Sequence, residues 1–207
     1  DSIRSSLGLT NPGTRMESGQ MNEHSKEFVR RYGPWAIVTG ASDGIGEAFA
    51  HQLAGRGMNL VLVARRAERL TALGAQLAAE HGVETVTHAA DLSSTAAVQQ
   101  LADDTAGLDV GLLIAAAGFG TSGPLLDASL DEEVEMIALN CASVMAQTWL
   151  FGRRFAARRR GGIVLLSSLL AFSGVPRAAN YAATKAYVQS LAEGLRLELS
   201  AAGVDVI

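Results

Sequence analysis

Near the end of the chain, Tyr181-Ala-Ala-Thr-Lys185 sets a phenol and an ammonium four residues apart. On a helix that spacing puts both on one face, where residues i and i+4 are neighbours. A cation beside a phenol favours the phenolate, so proton exchange moves from the ordinary value of about 10 toward neutrality. Taken alone, the same pattern also describes a solvated pair on an exposed helix. Ser168 supplies the second group: it stands thirteen residues before Tyr181, after an apolar run that reads as a strand. The carboxyl ends of strands are where an open α/β sheet presents its ligand contacts.

A different chemistry is written near the start. Thr39-Gly40-Ala41-Ser42-Asp43-Gly44-Ile45-Gly46 follows one apolar run and leads into a segment with apolar residues at helical spacing. Gly40 can make a tight turn, Gly44 lets backbone approach a pyrophosphate, and Gly46 allows helix and strand to pack closely; the helix N-terminus favours anionic oxygens. The spacing is Gly-x-x-x-Gly-x-Gly, and an ordinary glycine-rich turn is the competing explanation. Asp43 also reads as a local helix cap. Some twenty residues on, where an NAD-specific protein places a ribose-binding acid, the second apolar run ends in Ala64-Arg65-Arg66. An arginine fork suits a 2′-phosphate, so NADP(H) is expected over NAD(H). The competing explanation is two solvated charges opening the next helix.

Positioning these groups requires a sheet. Candidate strands are Trp35–Thr39, Asn59–Ala64, Thr85–Ala89, 110–116 and 162–167, each mostly apolar with little alternation, as when both faces of a parallel sheet are covered. Between them, Ile45, Phe49 and Leu53 mark one helical stripe, and Val188, Leu191, Leu195 and Leu199 another. Right-handed crossovers then predict a single-domain α/β fold with a doubly wound parallel sheet over 34–207. The 207 residues are 48% hydrophobic and 18% charged, enough for one core and short for two.

The net charge of −4 excludes nucleic acid as the main partner and gives no patch for an acidic membrane. The single cysteine, Cys141, has no intrachain partner, and the four histidines show no ligand spacing with it, so structural zinc is set aside. With no apolar stretch near the roughly 18 residues that span a bilayer and no leader pattern, no membrane span is expected and the location reads as cytoplasmic. Residues 1–33, with two possible starts at Met16 and Met21, read as a flexible or partly artificial extension outside the fold. At the other end, Gly203-Val-Asp-Val-Ile207 reads as a strand that opens and stops, so a C-terminal part is expected to be missing.

Together, Thr39 to Gly46, Asp91-Leu92, Asn140, Ser168, Tyr181 and Lys185 resemble the short-chain dehydrogenase/reductase family over about 34–207. Trp35, Ser42-Asp43-Gly44 and Gly57-Met58-Asn59 are closer to its reductases of 3-oxoacyl and hydroxysteroid substrates than to sugar dehydrogenases. The resemblance implies a Rossmann sheet and hydride exchange between NADP(H) and a carbonyl or alcohol. It implies that Ser168 polarises the substrate oxygen, Tyr181 moves the proton, Lys185 holds nicotinamide ribose and tunes the tyrosine, and Asn140 supports a proton-relay water. Asp91-Leu92 would contact adenine, although Asp-Leu-Ser also reads as a helix N-cap. Where the family usually has Asn-Asn-Ala-Gly, this chain has Ala115-Ala116-Ala117-Gly118. That puts local hydrogen bonding in doubt, while Ala117 and Gly118 would still border the ribose.

Leu169-Leu-Ala-Phe172, Val175, Pro176 and the Phe119 loop would offer apolar walls for a hydrophobic ketone or 3-oxoacyl substrate, or serve as ordinary core or interface. Helical segments over Leu130–Arg158 and 181–202 would pair subunits in a homo-oligomer, as in similar family members. A non-catalytic NADP(H)-binding regulator or sensor of the same fold is the competing function.

Overall fold

The computed structural model describes residues 23–207, and the readings made of earlier residues, Met16 and Met21 included, lie outside them. Six strands form one sheet: β1 (Trp35–Thr39), β2 (Asn59–Ala64), β3 (Thr85–Ala89), β4 (Val110–Ala115), β5 (Gly161–Leu165) and β6 (Val204–Val206). Their order is β3-β2-β1-β4-β5-β6 and every pairing is parallel. The order reverses between β1 and β4, which opens a crevice at their carboxyl ends.

Alternation along each strand explains the layers. Trp35 and Ile37 point into one core with Val61, Val63 and Leu113, whereas Ala36 and Val38 point into the other with Leu60, Leu62 and Leu112. The second core is closed by α2 (Gly44–Ala54) and α3 (Ala67–His81) through Leu53, Leu70 and Leu77. The first is closed by α4 (Thr95–Asp104), α6 (Val144–Arg158) and α7 (Ala179–Ser200) through Leu101, Phe151, Phe155 and Val188. β3 departs from the fully covered sheet expected for it: it is an edge strand, and Val86 is 42% exposed because only one side carries a helix layer.

Leu130–Arg158 is long and apolar enough to cross a membrane by length and composition alone, although charges interrupt it. In the fold this run is a layer helix, with Phe151 and Phe155 fully buried in the core of the sheet. Burying each such side chain is worth about 1.5–3 kcal/mol, so one face of the run is committed to the core, while Met145 and Trp149 stay partly exposed. The run is also not one α-helix. After α5 (Leu130–Ile137), six residues, Ala138–Ser143, form a π-turn before α6 begins. Such turns insert an extra residue and concentrate at functional sites; here it turns Asn140 inward to 1% exposure.

The reading of residues up to 33 as an extension outside the fold is corrected over Glu23–Tyr32, which form α1. Phe28, Val29 and Tyr32 pack on the second core, the Tyr32 hydroxyl donates to Asp205 at 2.8 Å, and Arg31 grips the same carboxylate at 2.7 Å. The local signals are there, an apolar stripe of Phe28, Val29 and Tyr32 with Glu23 in the first turn and Arg30 and Arg31 in the last, but the segment is short and its anchor lies 173 residues away. Burial, then Asp205, pushes the Tyr32 phenol from 10.0 up to about 12. Folding therefore favours the neutral phenol, a contribution complete below pH 10 and lost as pH rises toward about 12. Tyr32→Phe should flatten the loss of stability across that window in denaturant titrations. An unchanged alkaline limb would count against this anchor.

Candidate active site

The crevice at the strand reversal is a cleft of about 880 Å³, within the range of about 300–1,000 Å³ usual for ligand sites. Its floor is the turn between β1 and α2. A Cβ at Gly46 would fall 2.3 Å from the Gly40 carbonyl oxygen, and one at Gly40 would fall 2.9 Å from the backbone of Ala116. The turn therefore folds only with glycine at both places. Ser42, Asp43, Gly44 and Ile45 complete it, and the Ile45 side chain stands 62% exposed at the start of α2.

The basic side of the cleft comes from the end of β2. Arg66 donates to the Ser42 hydroxyl at 3.0 Å and pairs with Asp43 at 3.1 Å, fastening the second strand to the turn. Asp43 sits at the N-cap position of α2, but its side chain makes no capping bond; Arg66 first of all holds its carboxyl below the usual range. Arg65 makes a longer contact, 3.4 Å to Glu135, and remains 64% exposed. Asp91 and Leu92 line the same end. Asp91 is not the helix cap, a place taken by Ser94; its carboxylate accepts the Ser93 N–H at 3.0 Å, which lowers its pKa.

At the other end, α7 presents Tyr181 and Lys185 on one face, with the ammonium 5.7 Å from the ring centroid. The Lys185 Nζ donates to the Leu166 carbonyl at 2.8 Å, and burial pulls its pKa below the ordinary lysine value. Ser167 and Leu170 line the cleft; Ser168, which stands between them in the chain, caps a short 3₁₀ turn, Leu169–Phe172, and is not itself among the lining residues. The Ser168 oxygen accepts the Leu170 N–H at 3.2 Å, which leaves its own O–H to donate.

The Asn140 side chain ties three elements together. Its amide nitrogen donates to the Phe119 carbonyl at 2.8 Å and to Thr184 at 3.1 Å, while its oxygen accepts the Phe119 N–H at 3.1 Å. Both amide protons are thus taken, and the side chain moors the loop after β4. Ala117 and Gly118 border the cleft as expected. The hydrogen bonding left in doubt at Ala115-Ala116 is carried instead by Thr39, which accepts the Ala117 N–H at 3.2 Å and donates to the Ile114 carbonyl at 3.4 Å. Sequence reading missed Thr39 and Thr184 as moorings; a threonine ending an apolar strand was the available signal for the first.

Residues 34–207 match the family model described as short chain dehydrogenase. The chain is 34% identical over 176 residues to a 7beta-hydroxysteroid dehydrogenase of Collinsella aerofaciens, covering 85% of this chain and 67% of that protein. It is 39% identical over 186 residues to a very-long-chain 3-oxoacyl-CoA reductase of Podospora anserina, covering 86% and 55%, and so spans little more than half of that relative. Among solved structures, a short-chain dehydrogenase from Sphingobium yanoikuyae in complex with NADPH superposes with a TM-score of 0.80 at 36% identity, over 84% of this chain and 68% of that one. A bulky-bulky ketone specific alcohol dehydrogenase from Comamonas testosteroni gives 0.80 at 34% identity, over 84% and 69%.

Proposed function

This chain belongs to the short-chain dehydrogenase family, and from that premise we propose that it exchanges a hydride between NADP(H) and a bulky, apolar ketone or alcohol, with Tyr181 handling the proton. The observation that carries the reading is the single cleft in which the glycine turn, the Arg65-Arg66 pair and the Tyr181-Lys185 pair all converge. A binding-only protein has no need of the last pair.

The residues fit a 2′-phosphorylated dinucleotide. Space is open where a Cβ at Gly44 would stand, at the N-terminus of α2, so a pyrophosphate can meet the backbone there. Arg65 and Arg66 offer guanidinium donors to the additional phosphate, and Asp91 and Leu92 flank the adenine side. Lys185, Ala117 and Gly118 would hold the nicotinamide ribose. When bound, the nicotinamide supplies or accepts the hydride.

The chain's own residues do the rest. Ser168 donates to the substrate oxygen, and Tyr181 passes its proton to that oxygen as the carbon is reduced, or removes it in the reverse direction. The Lys185 ammonium steadies the negative charge left on the phenol oxygen. Phe119 and Leu170 line the cleft, with Leu169 at 88% and Phe172 at 72% exposure beside it. This apolar lip favours a hydrophobic ketone or 3-oxoacyl compound, in keeping with the substrates in the names of its relatives. A panel of bulky ketones offered with NADPH and NADH tests the reading: reduction of at least one, faster with NADPH, is expected. No consumption of either cofactor by the full protein would overturn it.

We also propose a homo-oligomer in a reducing, cytoplasmic setting, the latter resting on the lone thiol of Cys141. On α6, Met145 is 43% and Trp149 55% exposed, and Leu197 on α7 is 71% exposed. Their burial between two copies would remove apolar surface from water. Sedimentation should show a dimer or larger at micromolar protein, and a monomer would contradict the proposal.

A further inference from the structure

One carboxylate is buried beside the cleft without a cation. Glu133, in the first turn of α5, is 7% exposed, and among the described residues it enters no ion pair with lysine, arginine or histidine. A charge so placed is kept only where neutral donors satisfy it. Two do. Oε1 accepts the Thr121 hydroxyl at 2.6 Å, and Oε2 accepts the Asn180 amide at 2.7 Å. The Asn180 amide also reaches the Glu133 main-chain carbonyl at 3.0 Å.

The two donors belong to the two walls around Tyr181. Asn180 is the residue before it on α7, whose first turn has no side-chain cap. Thr121 lies on the loop after β4 and follows Gly120, where a Cβ would fall 2.7 Å from the Tyr181 ring. That loop is tied to the segment before α7 a second time by the Gly123 N–H, which donates to the Arg177 carbonyl at 2.8 Å. From these contacts we infer that Glu133 is a positioning residue: its carboxylate clamps the 119–123 loop against the start of α7 and so sets the Tyr181 ring against Gly120. The inference rests on the reading of Tyr181 as the proton donor. Glu133 touches neither substrate nor cofactor in this account; it acts through Thr121 and Asn180. A negative charge is also favoured near the N-terminus of α7, where backbone N–H groups are unpaired.

Loss of the carboxyl oxygens, set beside their conservative replacement, separates this role from mere packing. Glu133→Met keeps the length of the side chain and accepts from neither Thr121 nor Asn180, so the loop and the start of α7 are released from each other. NADPH affinity should stay within about twofold of the parent, while single-turnover reduction of a bulky ketone slows about tenfold to a hundredfold, the size of loss that an ångström of misplacement brings. Glu133→Gln restores both bonds, turning its oxygen to the Asn180 amide and its own amide to the Thr121 hydroxyl, which can accept, and should recover to within about threefold of the parent.

Full-speed reduction by Glu133→Met would overturn the inference. So would a loss of turnover that merely tracks losses in stability and NADPH affinity, or a Glu133→Gln variant as slow as Glu133→Met. If the parent itself reduces no ketone, it is the functional reading that has failed, and amide exchange then decides the clamp alone. The Phe119 and Gly123 N–H groups should exchange faster in Glu133→Met than in the parent, and unchanged exchange at both would refute it.

Discussion

Tyr181→Phe is expected to fold, to bind NADPH as the parent does, and to lose turnover by about 10²–10⁴-fold. The substitution removes one oxygen and keeps the ring that packs against Gly120 beneath the Lys185 ammonium. The alkoxide would then depend on Ser168 or water for its proton, and neither has a cation beside it to steady the charge left behind. Lys185→Ala should fail in another way. Its ammonium bonds the Leu166 carbonyl at 2.8 Å and faces the proposed ribose position, so NADPH affinity should fall along with the rate. If the pair were only a surface contact worth about 0.2–0.5 kcal/mol, neither variant would change the rate appreciably. Single-turnover reduction at saturating NADPH separates these outcomes. A Tyr181→Phe protein within about threefold of the parent, less than 1 kcal/mol in barrier, would remove Tyr181 from the chemistry.

The second large effect is on cofactor choice. Arg65→Asp should weaken NADPH binding roughly ten- to more than a hundredfold beyond any change in NADH binding, the worth of about 1.5–3 kcal/mol for a charge-assisted bond. The structure refines what to compare. Arg65 lies 3.4 Å from Glu135, so an aspartate there also sets two carboxylates together, a cost to the site whichever cofactor binds. The ratio of the two losses therefore carries the information. Arg66 differs because it also fastens Ser42 and Asp43 of the turn; Arg66→Ala should weaken both cofactors, NADPH the more. Titrations showing equal losses for Arg65→Asp would assign that arginine to the surface.

Much of this was legible because it is local. The strands Trp35–Thr39, Asn59–Ala64 and Thr85–Ala89 fall where apolar β-branched runs stand between glycines and charges, and the structure begins and ends them there. β4 and β5 end one and two residues earlier than expected, since the apolar run continues into the cleft-lining segments after the last ladder bond. The glycine turn and the Tyr181-Lys185 pair were legible for the same reason: each is a spacing within one turn of backbone. What escaped depends on distant partners. Helix α1 is held by Asp205, Glu133 by Thr121 and Asn180, and the π-turn at Asn140 by the loop it moors. No window of neighbouring residues contains those contacts. Asn140 shows the limit most clearly: its identity was readable, but its side-chain hydrogen-bond partners were set by tertiary packing.

The central claim is that hydride and proton reach the two ends of one carbonyl from different sources in this cleft. The most direct measurement is to incubate the full protein with a bulky ketone and NADPH carrying deuterium at both hydrogen positions of the nicotinamide C4, and to locate the label in the product. The account predicts deuterium on the carbinol carbon, one per NADPH consumed, and the same label at a rate at least about a hundredfold lower with Tyr181→Phe. Product without deuterium on that carbon, or labelling equally fast in the variant, would contradict it.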